Sequence, residues 1–303
     1  MREMNVDREW LSAPLIKASP FFAALPLSLG MAIPLEDNFS DIIGKALRGL
    51  KLSESVVATR AGVSLDAVQG LVEGQFDATA AAKVAPVLGL GAGALVAMGR
   101  KAYAPAEIRS VEGLVQFNTV FGDMTVNAYL VWDPVTKDGA AFDTGGDCTG
   151  MIEKVDMLGL TLRFILLTHT HGDHIYDLDR LRQRTGAPAF VGRREAVEGA
   201  ESFEPGRGFV VGKLTIETRL TWGHSRGGIT YVITGLARPV AVVGDALFAG
   251  SMGGGMASYN DALRTNREEI FTLPDNTVVC PGHGPMTSVG EEKANNPFFA
   301  TGA

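Results

Sequence analysis

Cysteine is nearly missing from this chain: Cys148 and Cys280 are the only two in 303 residues. Two thiols cannot build a disulfide framework, so a reducing cytoplasm is the default compartment. No apolar run reaches the roughly 18 residues that a membrane-spanning helix needs, which argues against a membrane partner. The apolar stretch from Pro20 to Ile33 is short and broken by prolines. Without the basic start and cleavage site of a signal peptide, it reads as an N-terminal arm that packs on the body or on a partner chain. Basic residues are outnumbered, 27 Lys and Arg against 34 Asp and Glu, for a net charge of -7. That balance favours solubility and argues against nucleic acid as the main partner. Histidine is scarce as well, with five in the whole chain.

What remains is 46% hydrophobic and long enough for two domains. The texture changes near residue 105. Before it, residues 41–50, 53–61, 64–73 and 78–88 read as short helices separated by Ser, Gly and Asp. Ser53 and Ser64 suit N-caps, and Glu54 favours the positive end of its helix. The expected division is an arm over 1–40, an all-α domain over 41–104 and a catalytic domain over 105–303. The stretch "LSESVVATRAGVSLDAVQGLVEG" resembles the helix-turn-helix of Cro/repressor proteins. Its second helix has no Lys or Arg and carries Asp66 and Glu73. DNA affinity rests on phosphate neutralisation, so this module reads as a dimerisation or covering element rather than a DNA reader. The arm and the module together suggest a homodimer.

From about residue 107 the chain is β-rich. "LVQFNTVF", "NAYLVWD", "GAAFDTG", "RFILLTH", "APAFVG", "KLTIETRL", "GITYVITG", "PVAVVGD" and "NTVVCPGHG" read as strands, with helices at 149–158, 173–185 and 260–271. That mixture predicts an α/β sandwich. "GLGAGA" at 89–94 follows an Ala-rich helix rather than a strand, so it lacks the context of a dinucleotide site. "AGSMG" at 249–253 is one glycine short of a nucleophile elbow.

Three of the five histidines fall within "THTHGDH", residues 168–174, just after the buried strand "RFILL". Alternate positions of an extended loop face the same way, so His169 and His171 can reach one metal ion together. Gly172 permits a turn, after which Asp173 and His174 can face a second ion. His224 in "TWGHSRGG" and His283 in "VVCPGHG" also follow strands, and Asp245 ends the strand of "VAVVGDALF". Every histidine thus sits at a strand-to-loop junction, where active sites of α/β sheets lie.

"HTHGDH", "GHS", "GDALFAGS" and "PGHG", in this order, resemble the metallo-β-lactamase superfamily over roughly residues 107–297, nearest to its glyoxalase II-like hydrolases. The resemblance implies a four-layer αβ/βα sandwich preceded here by the small all-α domain. It implies two divalent metal ions, zinc by preference with iron or manganese as alternatives. His169, His171 and His224 would hold the first, Asp173, His174 and His283 the second, and Asp245 would bridge them. It implies a shared hydroxide that attacks a carbonyl carbon, hence hydrolysis of a thioester or other ester, with Asp173 orienting the nucleophile. Asp143 in "AAFDTGG" resembles the family's strand-end carboxylate and would orient a ligand imidazole. Tyr176, Arg226 and Tyr259 are candidate substrate contacts.

Alternatives within this reading are a mononuclear-iron persulfide dioxygenase, a lactonase or phosphodiesterase, and a helix-turn-helix regulator with a metal-binding domain. The dioxygenase branch ends in a "PAHDY"-like motif where this chain has "PGHGP", which favours hydrolysis. Only 20 residues follow His283, with Lys293 their sole base, which does not favour a glutathione thioester.

Overall fold

The computed structural model describes residues 32–300. Most of the expected N-terminal arm, residues 1–31, lies outside the described residues. Five helices come first: α1 (Phe39–Leu50), α2 (Glu54–Ala61), α3 (Leu65–Val72), α4 (Ala78–Val87) and α5 (Ala92–Gly99). The Asn38 side chain accepts from the Ser40 and Asp41 amides while Asp41 reaches back to the Asn38 amide, a complete capping box. Phe39, Ile42, Ile43, Ala46 and Leu47 then share the buried stripe of α1. Ser53 and Ser64 cap α2 and α3, as their positions in the sequence suggest. Helix α5 buries only Leu95 and Met98, too few apolar positions to announce a helix among Gly and Ala. Its N-cap, Gly91, donates to Pro297 O at 2.7 Å, and a Cβ there would collide with Ala300 O.

The rest alternates strands and helices. β1 (Leu114–Phe121), β2 (Met124–Trp132), β3 (Asp138–Phe142), α6 (Thr149–Leu158) and β4 (Thr161–Leu167) lead to α7 (Gly172–Ile175) and α8 (Leu178–Thr185). β5 (Ala189–Gly192), β6 (Ala200–Phe203), β7 (Gly208–Val211), β8 (Leu214–Leu220), β9 (Ile229–Thr234) and β10 (Val240–Gly244) follow. α9 (Tyr259–Thr265), which runs into a π turn at Asn266–Ile270, β11 (Val278–Pro281), β12 (Thr287–Ser288) and α10 (Val289–Asn295) complete the chain. One sheet has the order β1-β2-β3-β4-β5-β6 and the other β12-β11-β10-β9-β8-β7.

Period-two alternation makes the layers. In β4, Leu166 faces the other sheet, in a core shared with Phe142, Tyr231 and Val242, while Ile165 and Leu167 face α6 and α8. In β10, Val240 and Val242 face inward, while Ala241 and Val243 pack under Ile270 and Val289. The result is the expected helix–sheet–sheet–helix sandwich. Both cysteines are buried fillers, Cys280 between the sheets and Cys148 under α6.

The structure adds features that the sequence reading did not contain. The edge strands β6, β7 and β12, of two to four residues, are too short to show a pattern. The helix expected over 173–185 is split into α7 and α8, because Asp177 turns its carboxylate to the Cys148 amide (2.9 Å) and its own amide to Thr144 Oγ1 (3.2 Å). The helical segment also shares its core with the sandwich: Met252, Tyr259, Ala262 and Phe298 are buried among Ile42, Val68, Leu71 and Leu95. No described helix is long and apolar enough to cross a membrane.

Candidate metal centre

β4 ends at Leu167, and the next residues are held by Asp143 at the end of β3. Thr168 donates to Asp143 with its amide (2.7 Å) and its hydroxyl (2.8 Å). That hydroxyl therefore accepts from His169 Nδ1–H at 3.0 Å, which leaves Nε2 as the free lone pair. Asp143 also accepts from His174 Nδ1 at 2.9 Å. One carboxylate thus fixes the tautomers of two imidazoles, directly and through a threonine. Asp143 adopts φ +55°, a strained conformation for a residue other than glycine, which aims its side chain back under the loop.

His224 and His283 are oriented in the same way. His224 Nδ1 donates to Gly254 O (3.0 Å), and His283 Nδ1 donates to Thr125 O (2.7 Å). The ring nitrogens left over converge. His171 Nδ1 lies 3.0 Å from both His169 Nε2 and His224 Nε2. Asp245 Oδ2 lies 3.3 Å from His224 Nε2, 3.9 Å from His169 Nε2 and 3.5 Å from His283 Nε2. Its other oxygen lies 3.2 Å from His174 Nε2. Asp173 Oδ2 closes the second group, 3.5 Å from His174 Nε2 and 3.3 Å from His283 Nε2. The donor atoms of His169, His171, His224 and Asp245 fall within 4.8 Å of one another, as do those of Asp173, His174 and His283. Asp245 faces both groups.

This donor set fits cations. Three imidazole nitrogens aimed at one another cannot satisfy each other with protons, and His174 Nε2 and Asp245 Oδ1 are buried without a hydrogen-bond partner. Three imidazoles and a carboxylate in one group, and two imidazoles and a carboxylate in the other, suit divalent transition metals. Electrostatics agree. Burial, reinforced by the neighbouring imidazole His174, holds His169 well below the usual histidine range. Burial would also depress His174 and His283, but the carboxylates Asp245 and Asp143 lift the first to about 10, and Asp173 and Asp245 lift the second to about 11. Burial would raise Asp245, yet His174 and His283 hold it well below the carboxylate range.

Without cations, His174 and His283 therefore carry protons at neutral pH. Both are raised, so the stability they contribute is complete below the unfolded value of 6.5 and is lost as pH climbs through about 10 to 11. Metal must displace those protons. Adding zinc to metal-free protein in weak buffer at neutral pH is expected to release acid, with an apparent affinity that rises with pH. A pH-indicator titration that shows no proton release would contradict this assignment.

The two groups open on a cleft of about 440 Å³ lined by Glu36, Lys45, Met124, Phe248, Met256 and the Gly253–Gly254 backbone beside the histidines and aspartates. Arg226 is exposed on an adjoining depression with Arg194, beside His171 and His224. Tyr176 projects outward, 68% exposed, with its ring edge-on to Phe121 at 5.3 Å, and is not among the residues lining the cleft. Tyr259, a candidate substrate contact in the sequence, is not among the residues lining the cleft. Ser258 caps α9, and the Tyr259 ring turns into the helical core against Gly49 and Phe298, 6% exposed.

Several residues that hold the site were missed. Glu195 is buried and accepts from Thr170 Oγ1 (2.8 Å) and the Gly227 amide (2.7 Å), tying the His169–His171 loop to the His224 loop. Asn127 and Tyr129 on β2 donate to Pro281 O at 2.9 and 2.7 Å, which clamps the His283 loop to the other sheet. One of two glutamates in "RREAVEG" offers no signal; only the fold shows what it joins. Glu195→Ala would strand those donors, each at a cost of about 1–3 kcal/mol, and should weaken metal binding about tenfold or more by competition with a chelator. Unchanged affinity would show that the loops are held elsewhere.

Comparison with known proteins agrees with this geometry. The profile of the metallo-β-lactamase superfamily matches residues 121–283, more than half of the chain. The probable metallo-hydrolase YqgX of Bacillus subtilis is 31% identical over 205 residues, covering 59% of this chain and 94% of that protein. Hydroxyacylglutathione hydrolase GloC of Haemophilus influenzae is 28% identical over 198 residues, covering 57% and 92%. Among solved structures, the BLEG-1 B3 metallo-β-lactamase superposes with a TM-score of 0.53 at 28% identity, over 61% of this chain and 99% of that one. A sandwich with five histidines and two aspartates gathered at one edge, carried by a sequence that matches this profile, places the chain in the metallo-β-lactamase superfamily.

Proposed function

We propose that this protein is a metal-dependent hydrolase that cleaves a thioester or other ester, using two divalent cations, zinc by preference. The observation that carries this reading is Asp245, whose carboxylate in an open cleft reaches imidazoles of both groups, Oδ1 facing His174 and Oδ2 facing His224 and His283. His169, His171 and His224 would hold one cation, Asp173, His174 and His283 the other, with Asp245 between them. Cations held there supply Lewis acidity, which makes a water nucleophilic near neutral pH and offsets negative charge on the substrate carbonyl. The chain's own residues do the positioning. Asp173 lines the cleft beside His171 and His283, and a cation beside it would keep its carboxylate ionised, so it remains a proton acceptor. At the mouth of the cleft it can accept the nucleophile's proton and set its line of attack. Asp143, which lies beneath the loop and out of the cleft, acts by holding His169 and His174. The resemblance to a hydroxyacylglutathione hydrolase supports thioester cleavage.

The test is metal analysis beside a panel of thioesters, esters, lactones and phosphodiesters. Two zinc-like ions with rapid thioester or ester turnover support the proposal. One iron with oxygen uptake, or turnover confined to phosphodiesters, overturns it. The helix-turn-helix-like segment is read here as a wall of the enzyme. Leu65, Asp66, Gln69 and Glu73 are the exposed residues of α3 and its cap, and none is basic. A low-salt gel shift with sequence-selective retention would reverse that reading.

A further inference from the structure

The metal cleft contains two residues from outside the part of the chain that matches the superfamily, Glu36 beside His283 (3.9 Å) and Lys45. Lys45 reaches in from α1, far from the matched residues 121–283 in sequence. Its side chain is only 13% exposed. Two of its three N–H groups are taken, one by Asp37 and one by Met252 O at 2.9 Å, and the third has no acceptor among the described residues. The ammonium sits 5.2 Å from the centre of the Phe248 ring, which in turn stands edge-on to His283 at 5.6 Å. The order along this wall is therefore cation, apolar face, metal group. Among the residues lining the cleft, Lys45 is the single Lys or Arg.

Its position is fixed rather than swung in from solvent. Asp37 is buried, and besides Lys45 it accepts from Ser251 Oγ at 2.5 Å. Ser251 O accepts in turn from Asn296, which also donates to Glu292, itself bonded to the Gly250 amide (2.9 Å) and to Tyr103 (3.2 Å). This buried network ties the helical segment to the loop behind the cleft. An ammonium already held by two acceptors, with a donor left over, loses little side-chain entropy when it binds an anion.

We infer that Lys45 binds a carboxylate on the substrate, so that the enzyme's preferred substrate is an anionic ester or thioester with a short apolar spacer lying over Phe248. The inference rests on the hydrolase reading for its reaction and names the helical segment as a source of specificity. No bond changes at Lys45; it is a binding residue that places the scissile carbonyl over the metal groups.

The experiment compares S-acetyl mercaptopropionate with its uncharged amide on the zinc-loaded full chain, for wild type, Lys45→Met, Lys45→Arg and Arg226→Ala. The ratio of kcat/KM for acid over amide should fall about tenfold or more in Lys45→Met, mainly through KM, and recover in Lys45→Arg. A purely structural lysine would lower both substrates together and leave the ratio alone, which would overturn the inference. So would a ratio that collapses in Arg226→Ala but not in Lys45→Met. Binding of the unreactive propionate thioether, measured by calorimetry against its amide, gives a readout independent of turnover. If neither thioester is cleaved, the hydrolase reading fails, while loss of acid-over-amide binding in Lys45→Met still supports the carboxylate site and equal binding removes it. Should Lys45→Met not fold, the acid-over-amide ratio in wild type must drop with rising salt, and a salt-independent ratio counts against the inference.

Discussion

Asp245→Asn is expected to lower kcat/KM by about 10³-fold, or about 4 kcal/mol of transition-state stabilisation, and to lower metal content from two ions toward one or none. The carboxylate is shared: one oxygen faces His174 at 3.2 Å and the other faces His224 at 3.3 Å and His283 at 3.5 Å. An asparagine of the same shape keeps one acceptor oxygen and replaces the other with an amide N–H donor that cannot ligate a cation. It also removes a negative charge that would balance the proposed cations. The metal-free protein offers a separate measurement. His174 and His283 hold Asp245 well below the carboxylate range despite its burial. The sign is that of a depressed acid: its contribution is present above the unfolded value of about 3.9 and is lost as pH falls through the folded one. The acid side of the wild-type Tm-versus-pH curve should carry this loss, and in Asp245→Asn that component should be missing. Two retained ions with activity within about tenfold of wild type would remove Asp245 from the centre of the site.

Gly282→Ala should be comparably damaging, with no change in any donor atom. A Cβ at Gly282 would overlap Asp245 Oδ1 and approach His174 Cε1 to 2.6 Å. The backbone cannot step back, because the Gly282 amide donates to Gly244 O (2.9 Å) and its carbonyl accepts from the Asn127 amide (2.7 Å). The side chains must move instead. A shift of about 1 Å in such a group costs about 10²-fold in rate, and the overpacking should cost about 1–3 kcal/mol of stability. Gly254→Ala is the matching control in the other glycine loop, since the nearest heavy atom to its new Cβ is Met256 Cγ at 4.0 Å. It should stay within about twofold of wild type. Kinetics and metal content of the pair decide the matter: equal behaviour of the two variants would show that the PGHG loop has slack that the packing does not reveal.

The parts of this protein legible from its residues are those in which chemistry is local. Histidine is so scarce that its clustering in THTHGDH and its placement after strands needed no third dimension to suggest a metal site. Alternating apolar positions announced nine of the strands, and serines at helix starts announced their caps, because both signals act over a few residues. Tyr259 was misread because adjacency to a glycine loop says nothing about which way the following helix turns its first ring. Glu195, Asn127 and Lys45 went unseen for a related reason. Each acts on a partner distant in the sequence, and a single Glu, Asn or Lys looks the same in a solvated turn as in a buried clamp.

The sequence by itself determined where the histidines cluster, the sandwich class and the acidic character of the helix-turn-helix-like segment, since composition and short-range spacing encode them. Only the tertiary structure decided that Asp143 serves two imidazoles, that Asp245 faces both groups and that a lysine from α1 stands in the cleft. Those facts depend on loops from two sheets and a helical segment meeting at one edge, and long-range packing of that kind leaves no periodic trace in the chain.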